Sequence, residues 1–187
     1  VRDTAHWDSW VQLFASRGWA VLQVNFRGSS GYGEDFLRAG FQRWGLEMQD
    51  DITDAVRWTI QQGIANANRI CIVGASYGGY AALMGAVKTP DLYQCAISIA
   101  GVTDLRRLVD ERRFFFRGEA LADAHIGRWW SDRDRLNETS PISHAREIRT
   151  PLLLMHGASD VVVPVEHSRE MADALKETGV QTYRYIE

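Results

Sequence analysis

Ser76, set in Gly74-Ala75-Ser76-Tyr77-Gly78-Gly79, is the side chain of this sequence best placed to act as a nucleophile. An apolar run, Arg69-Ile70-Cys71-Ile72-Val73, leads into it, and a helix-like run from Tyr80 to Val87 leads away. A strand, a sharp turn and a helix with serine at the apex hold the hydroxyl strained and exposed above a parallel sheet. Glycines flank the serine because close strand–helix packing excludes larger side chains. The Tyr77 amide, at the head of the helix, is expected to point at a developing oxyanion. This is equipment for acyl transfer through a serine ester.

Such a serine needs a base, and the base needs a carboxylate to orient it. In folds built on this turn the chain order is serine, acid, histidine. Leu152-Leu153-Leu154-Met155 reads as a strand whose following loop, His156-Gly157-Ala158-Ser159-Asp160, presents Asp160 as the acid. The alternative is an ordinary loop aspartate ahead of a helix. The one later histidine, His167, falls in the first turns of that helix and reads as a surface residue rather than the base. His156 sits at a strand end, where it would hold the loop, while His6, His125 and His144 have the wrong chain order. The base is therefore expected beyond Glu187, in a loop after the last strand, and a second oxyanion donor before Val1. On this reading residues 1–187 are one catalytic domain truncated at both ends.

The elements that must position these groups follow from periodicity. Trp7, Trp10, Val11 and Phe14 recur at helical spacing, with Gly18 as a stop. Ala20 to Phe26 reads as a buried strand, and Arg27 to Gly33 as a glycine–serine loop. Asp51 to Gln62 reads as a helix with Ile52, Ala55, Val56, Thr59 and Ile60 on one face. Gln94 to Gly101 and Gln181 to Glu187 read as strands. Val165 to Thr178 reads as a helix with Val165, Met171, Ala172 and Leu175 inward. Alternating strands and helices predict an α/β fold: a mostly parallel sheet with helices on both faces, the α/β-hydrolase arrangement. Residues 103–149 are charge-rich and carry Phe114-Phe115-Phe116 and Trp129-Trp130; they are expected to form a helical insertion beside the site, its aromatics packing it onto the core.

Composition narrows the classes. The 187 residues are 45% apolar and carry a net charge of −3, which argues against nucleic acid and anionic membrane as partners. No apolar stretch is long enough to span a bilayer. A soluble protein is expected, with the cytoplasm and the periplasm both open. Cys71 and Cys95 lie in apolar runs and read as buried small hydrophobes rather than a disulfide. Gly28-Ser29-Ser30-Gly31-Tyr32-Gly33 lacks the lysine of a phosphate loop, so nucleotide binding is rejected. Arg27 is expected to pair with Asp50 or Asp51 as scaffolding. No metal or organic cofactor is expected.

Several motifs, in order, resemble the prolyl oligopeptidase family of serine peptidases, with the dipeptidyl-peptidase and acylaminoacyl-peptidase branches nearest. They are Asn25-Phe26-Arg27-Gly28-Ser29-Ser30-Gly31-Tyr32-Gly33, Trp44-Gly45 leading to Asp50-Asp51-Ile52-Thr53-Asp54-Ala55-Val56, and the Ser76 turn. Ser140-Pro141-Ile142 and His156 to Pro164 complete the set. The resemblance implies a peptidase of short peptides with a β-propeller ahead of the catalytic domain. It also implies that Tyr77 lends its amide to the oxyanion hole and its ring to the specificity pocket. Val102, Leu105 and Leu108 would line that pocket, and Val162 and Val163 approach it from the acid loop; the plain alternative is that these apolar residues are core. An apolar pocket suits an uncharged residue before the scissile bond. Two rival readings remain, an esterase or lipase-like hydrolase with the same triad, and a non-catalytic binding module. A homo-oligomer is also open.

Overall fold

The computed structural model describes residues 2–112 and 118–187. In chain order the elements are α1 (Ser9–Ala15), α2 (Glu34–Arg38), α3 (Glu47–Gln61), β1 (Cys71–Ala75), α4 (Tyr77–Lys88), β2 (Cys95–Ile99), α5 (Leu105–Arg112), α6 (Gly118–His125), α7 (Arg133–Glu138), β3 (Leu152–Met155), α8 (Glu166–Glu177) and β4 (Tyr183–Ile186). Short 3₁₀ turns cover Pro90–Leu92 and Pro141–Glu147.

The four strands form one parallel sheet in the order β1-β2-β3-β4. Parallel neighbours require a crossover between them, and helices supply it: α4 after β1, the helices α5, α6 and α7 after β2, and α8 after β3. Register aligns Ala75 with Ile99, Ile99 with Met155, and Met155 with Ile186. All four strands therefore end on one edge.

α4 is the hub, with Gly79 through Ala86 buried. Tyr80 and Met84 face one apolar cluster, with Val102, Leu105, Leu108, Val109, Ala122, Ile126, Leu136 and Val163. Leu83 and Ala86 face another, built from Ala96, Ala145, Ile148, Leu152, Leu154, Met171, Ala172 and Leu175. A helix apolar all round is one packed on every side. In α8, Met171, Ala172 and Leu175 point inward as the periodicity predicts, with Val165 at the N-cap.

Four expectations are corrected. Ala20 to Phe26 forms no strand. An extended run becomes a strand only when a neighbour takes its N–H and C=O groups, and none of the described strands pairs with it. The α3 helix begins at Glu47 rather than Asp51, and Ala55 is only half-buried on it. Cys71 and Cys95 are joined as a disulfide; they are in-register partners on β1 and β2, with Cα atoms 4.7 Å apart, and each is half-buried. His167 is buried, not at the surface. In the 103–149 interval, Trp129 packs on the core cluster while Trp130 is 79% exposed; Phe114–Phe116 lie outside the described residues.

Candidate active site

Ser76 lies between β1 and α4 with φ 55° and ψ −117°, a left-handed conformation that costs a non-glycine residue about 1–3 kcal/mol. The surroundings hold it there. The Ser76 N–H donates to the Ile99 carbonyl at the end of β2 (2.9 Å), and its own carbonyl accepts from Tyr80 N–H (3.1 Å). A Cβ on Gly74 would lie 2.3 Å from the Gly78 carbonyl group, and one on Gly79 would lie 2.7 Å from Gly101 Cα. Those two glycines let helix and strand approach. A Cβ on Gly78 would meet nothing within 4 Å, so close packing does not explain that one. The Ser76 side chain is left exposed.

Tyr77 opens α4, so its N–H has no carbonyl within the helix to bond. Its donor and the positive end of the helix dipole are available to an oxyanion beside Ser76. The ring turns into an aromatic cluster, 4.5 Å from Trp44 edge-on, 5.1 Å from Phe26 and 5.7 Å from Tyr80. Its hydroxyl is buried without a hydrogen-bond partner. Burial, and secondarily the Asp51 carboxylate, push that phenol well above its ordinary range.

Asp160 follows β3. Its Oδ1 accepts from Val163 N–H (3.0 Å) and Val162 N–H (2.8 Å). These bonds, to Val163 first and Val162 second, hold the carboxyl below its usual range, so it is ionised at neutral pH. The loop is fastened from below by His156, which is buried. Its Nε2 lies 2.9 Å from the Val163 carbonyl, its Nδ1 lies 2.7 Å from Ser168 Oγ, and Asp160 Oδ2 is 3.9 Å away. The β1 and β3 lanes are separated by β2, about 10 Å at ordinary strand spacing, and both loops leave the same sheet edge.

Of the residues expected around a pocket, Val102, Leu105, Leu108 and Val163 are buried in one cluster, with Tyr77 packed against it. Val162 is apart from them: it is 57% exposed, and its carbonyl accepts from Arg112 Nη2 (3.1 Å). Among the described residues no histidine bonds Ser76. His125 packs against Phe41 with the rings tilted (4.2 Å between ring centroids), and His144 Nε2 lies 2.7 Å from the Glu138 carbonyl.

The choice between Asp50 and Asp51 resolves to Asp51. Arg27 grips both its oxygens (2.6 and 2.8 Å) and adds its backbone N–H (2.9 Å), while Asp50 pairs with Lys88 (2.8 Å). Burial alone would raise the Asp51 carboxyl, but the Arg27 bonds outweigh it and hold it low. This clamp ties the loop after Phe26 to α3 beside the Tyr77 aromatic cluster. A sequence model of the prolyl oligopeptidase family matches residues 5–186. The chain belongs to the prolyl oligopeptidase family.

Within it, the chain is 38% identical to dipeptidyl aminopeptidase BIII of Pseudoxanthomonas mexicana, over 96% of this chain and 26% of that protein. It is 34% identical to an acylamino-acid-releasing enzyme of Arabidopsis thaliana, over 91% of this chain and 23% of that enzyme. The fold superposes on puromycin hydrolase with a TM-score of 0.84 at 30% identity, covering 94% of this chain and 26% of the hydrolase. The acylaminoacyl peptidase of Pyrococcus horikoshii superposes at 0.83 and 30% identity, covering 96% and 29% of the two chains. The chain thus spans about a quarter of the length of the relatives it matches. These relatives are α/β-hydrolase-fold peptidases, and the parallel sheet with its helices is the same architecture.

Sequence reasoning missed the polar cluster between α5 and α8. His167 is fully buried there, its Nδ1 accepting from Thr103 N–H (3.2 Å) and its Nε2 3.4 Å from Glu111 Oε2. Burial first, and the nearby Arg107 second, lower its pKa to about 4, so it is neutral. The helical pattern placed His167 one turn from inward Met171, and that i, i+4 spacing was the available signal.

Proposed function

We propose that this chain is the nucleophile-bearing part of a serine peptidase that cleaves short peptides through an acyl-enzyme on Ser76. The observation carrying this reading is Ser76 itself: left-handed, exposed, and adjacent to the free N–H that opens α4. In the reaction Ser76 Oγ attacks the peptide carbonyl and its proton passes to a histidine base. The oxyanion accepts from Tyr77 N–H, and the base returns its proton to the departing amine. Water then attacks the ester and restores the serine. Asp160, ionised and fixed by two backbone donors, holds the base in its working tautomer and stabilises the imidazolium. The base is a histidine from a loop following β4; β4 ends in register with β3, so such a loop leaves by the edge that carries Ser76 and Asp160.

Tyr77 forms the wall of the pocket for the residue before the scissile bond, with the buried cluster of Val102, Leu105, Leu108 and Val163 packed behind it, and this apolar lining favours uncharged side chains. Val162 stands at its exposed rim. The relatives' fourfold greater length supports a β-propeller in the full-length protein, where it restricts access to short peptides. The Cys71–Cys95 disulfide supports an oxidising compartment outside the cytoplasm, because thiols stay reduced within it.

The test is made on the full-length protein, with peptide anilides and a fluorophosphonate probe. Ser76→Ala is expected to abolish both turnover and labelling while the protein stays folded by circular dichroism. Retained peptidase activity overturns the assignment. Ester hydrolysis without amide cleavage establishes the esterase reading instead.

A further inference from the structure

His167 occupies the second position of α8 and has no exposure to solvent. Burying an imidazole is unfavourable unless its nitrogens find partners. Nδ1 accepts from the Thr103 N–H, and the Thr103 hydroxyl donates to the His167 carbonyl (2.7 Å). With Nδ1 accepting, the hydrogen-bond network assigns the proton to Nε2. Nε2 lies 3.4 Å from Glu111 Oε2, and both atoms are buried with no hydrogen-bond partner. Thr103 precedes α5 and Glu111 lies in its last turn, so one ring touches both ends of that helix. Arg107 adds a second tie, donating to Glu111 Oε1 (2.8 Å) from its Nε and to Glu170 on α8 from its Nη1.

The next residue reaches the other way. Ser168 meets His156, His156 meets the Val163 carbonyl, and the Val163 N–H donates to Asp160. A continuous chain of polar contacts therefore runs from α5, through the first turn of α8, to the acid loop. Apolar packing of Leu105 and Leu108 holds α5 against the core, but such contacts are non-directional and leave rotation and axial slide weakly set. Hydrogen bonds fix both. We propose that His167 is a positioning residue for substrate selectivity: it sets the register of the pocket helix α5 against α8 and, through Ser168, against the loop carrying Asp160. This rests on the reading of Ser76 as nucleophile and of α5 as the helix that backs the pocket.

The test compares the full-length protein with His167→Leu, His167→Gln and Glu111→Met. Each is treated with two diphenyl aminoalkylphosphonates, one bearing a methyl and one a benzyl side chain. These probes phosphonylate an activated serine with loss of phenol, so pocket preference is read without amide cleavage. The ratio of benzyl to methyl labelling rates is expected to shift about tenfold in His167→Leu and Glu111→Met. In His167→Gln, whose amide can accept from Thr103 and donate to Glu111, it is expected to stay within about twofold of the unsubstituted protein. Glu111→Met carries the test should His167→Leu fail to fold. An unchanged ratio in the folded Leu and Met variants overturns the proposal, as does equal loss of both labelling rates in all three. Labelling that is absent from the unsubstituted protein, or that survives Ser76→Ala, overturns the underlying serine reading instead.

Discussion

Gly74 and Gly78 bracket Ser76 symmetrically in the sequence yet stand in unlike surroundings. A methyl on Gly74 collides with backbone that cannot yield, so Gly74→Ala is expected to lose about 3 kcal/mol in urea unfolding. Gly78 is open and lies in the first turn of α4, so Gly78→Ala is expected to stay within about 1 kcal/mol of the parent. His167 carries a pH dependence of its own. Its folded pKa of about 4 lies below the unfolded value of about 6.5, so the unfolded chain takes up a proton that the folded chain refuses. Its contribution is complete above about pH 6.5 and is lost as pH falls toward 4, a change on the order of 3 kcal/mol. His167→Gln is expected to flatten that limb when unfolding is measured across the window. Asp160 and Asp51 are carboxylates held low, so their contributions survive this window and are lost only as pH drops below the usual carboxylate range of about 4.

At the scale of elements, the β1–α4–β2 unit carries the nucleophile and is closed covalently at its base. The Cys71–Cys95 link spans a sequence separation of 24, enclosing Ser76 and all of α4. Cross-linking a loop of that size restricts the unfolded chain by about 3 kcal/mol in the chain-entropy treatment. The double Cys71→Ser, Cys95→Ser variant is expected to unfold at correspondingly lower urea, and dithiothreitol to lower the parent toward it. A parent midpoint unmoved by reductant, with both thiols free to alkylating reagents, contradicts the disulfide. Periodicity located both cysteines in strands. It carried no information on which strands are neighbours, or on which residues fall in register.

Over the whole molecule, the apolar surface is unevenly covered. Trp7, Trp10, Leu13, Trp19, Val21 and Leu22 are all exposed, on α1 and the segments either side of it, and α1 buries none of its residues. Such a patch on an isolated chain is an association site. Expressed as these 187 residues, the protein is expected to sediment as concentration-dependent oligomers. Trp10→Lys with Val21→Lys is expected to shift it toward monomer. A monodisperse monomer before substitution would show that this face needs no cover.

Local geometry was legible in the sequence. The strand–turn–helix around Ser76, the loop after β3 that carries Asp160, and the inward face of α8 follow from steric demand and 3.6-residue periodicity, which neighbours in the chain impose on one another. The segment from Ala20 to Phe26 marks the boundary of that reasoning: its composition suits a strand, but strand formation needs a partner that lies far away in sequence. The Cys71–Cys95 link, the selection of Asp51 over Asp50 by Arg27, and the burial of His167 between α5 and α8 have the same character. Each joins groups 24 or more residues apart, and such pairings are decided only when packing brings the elements together.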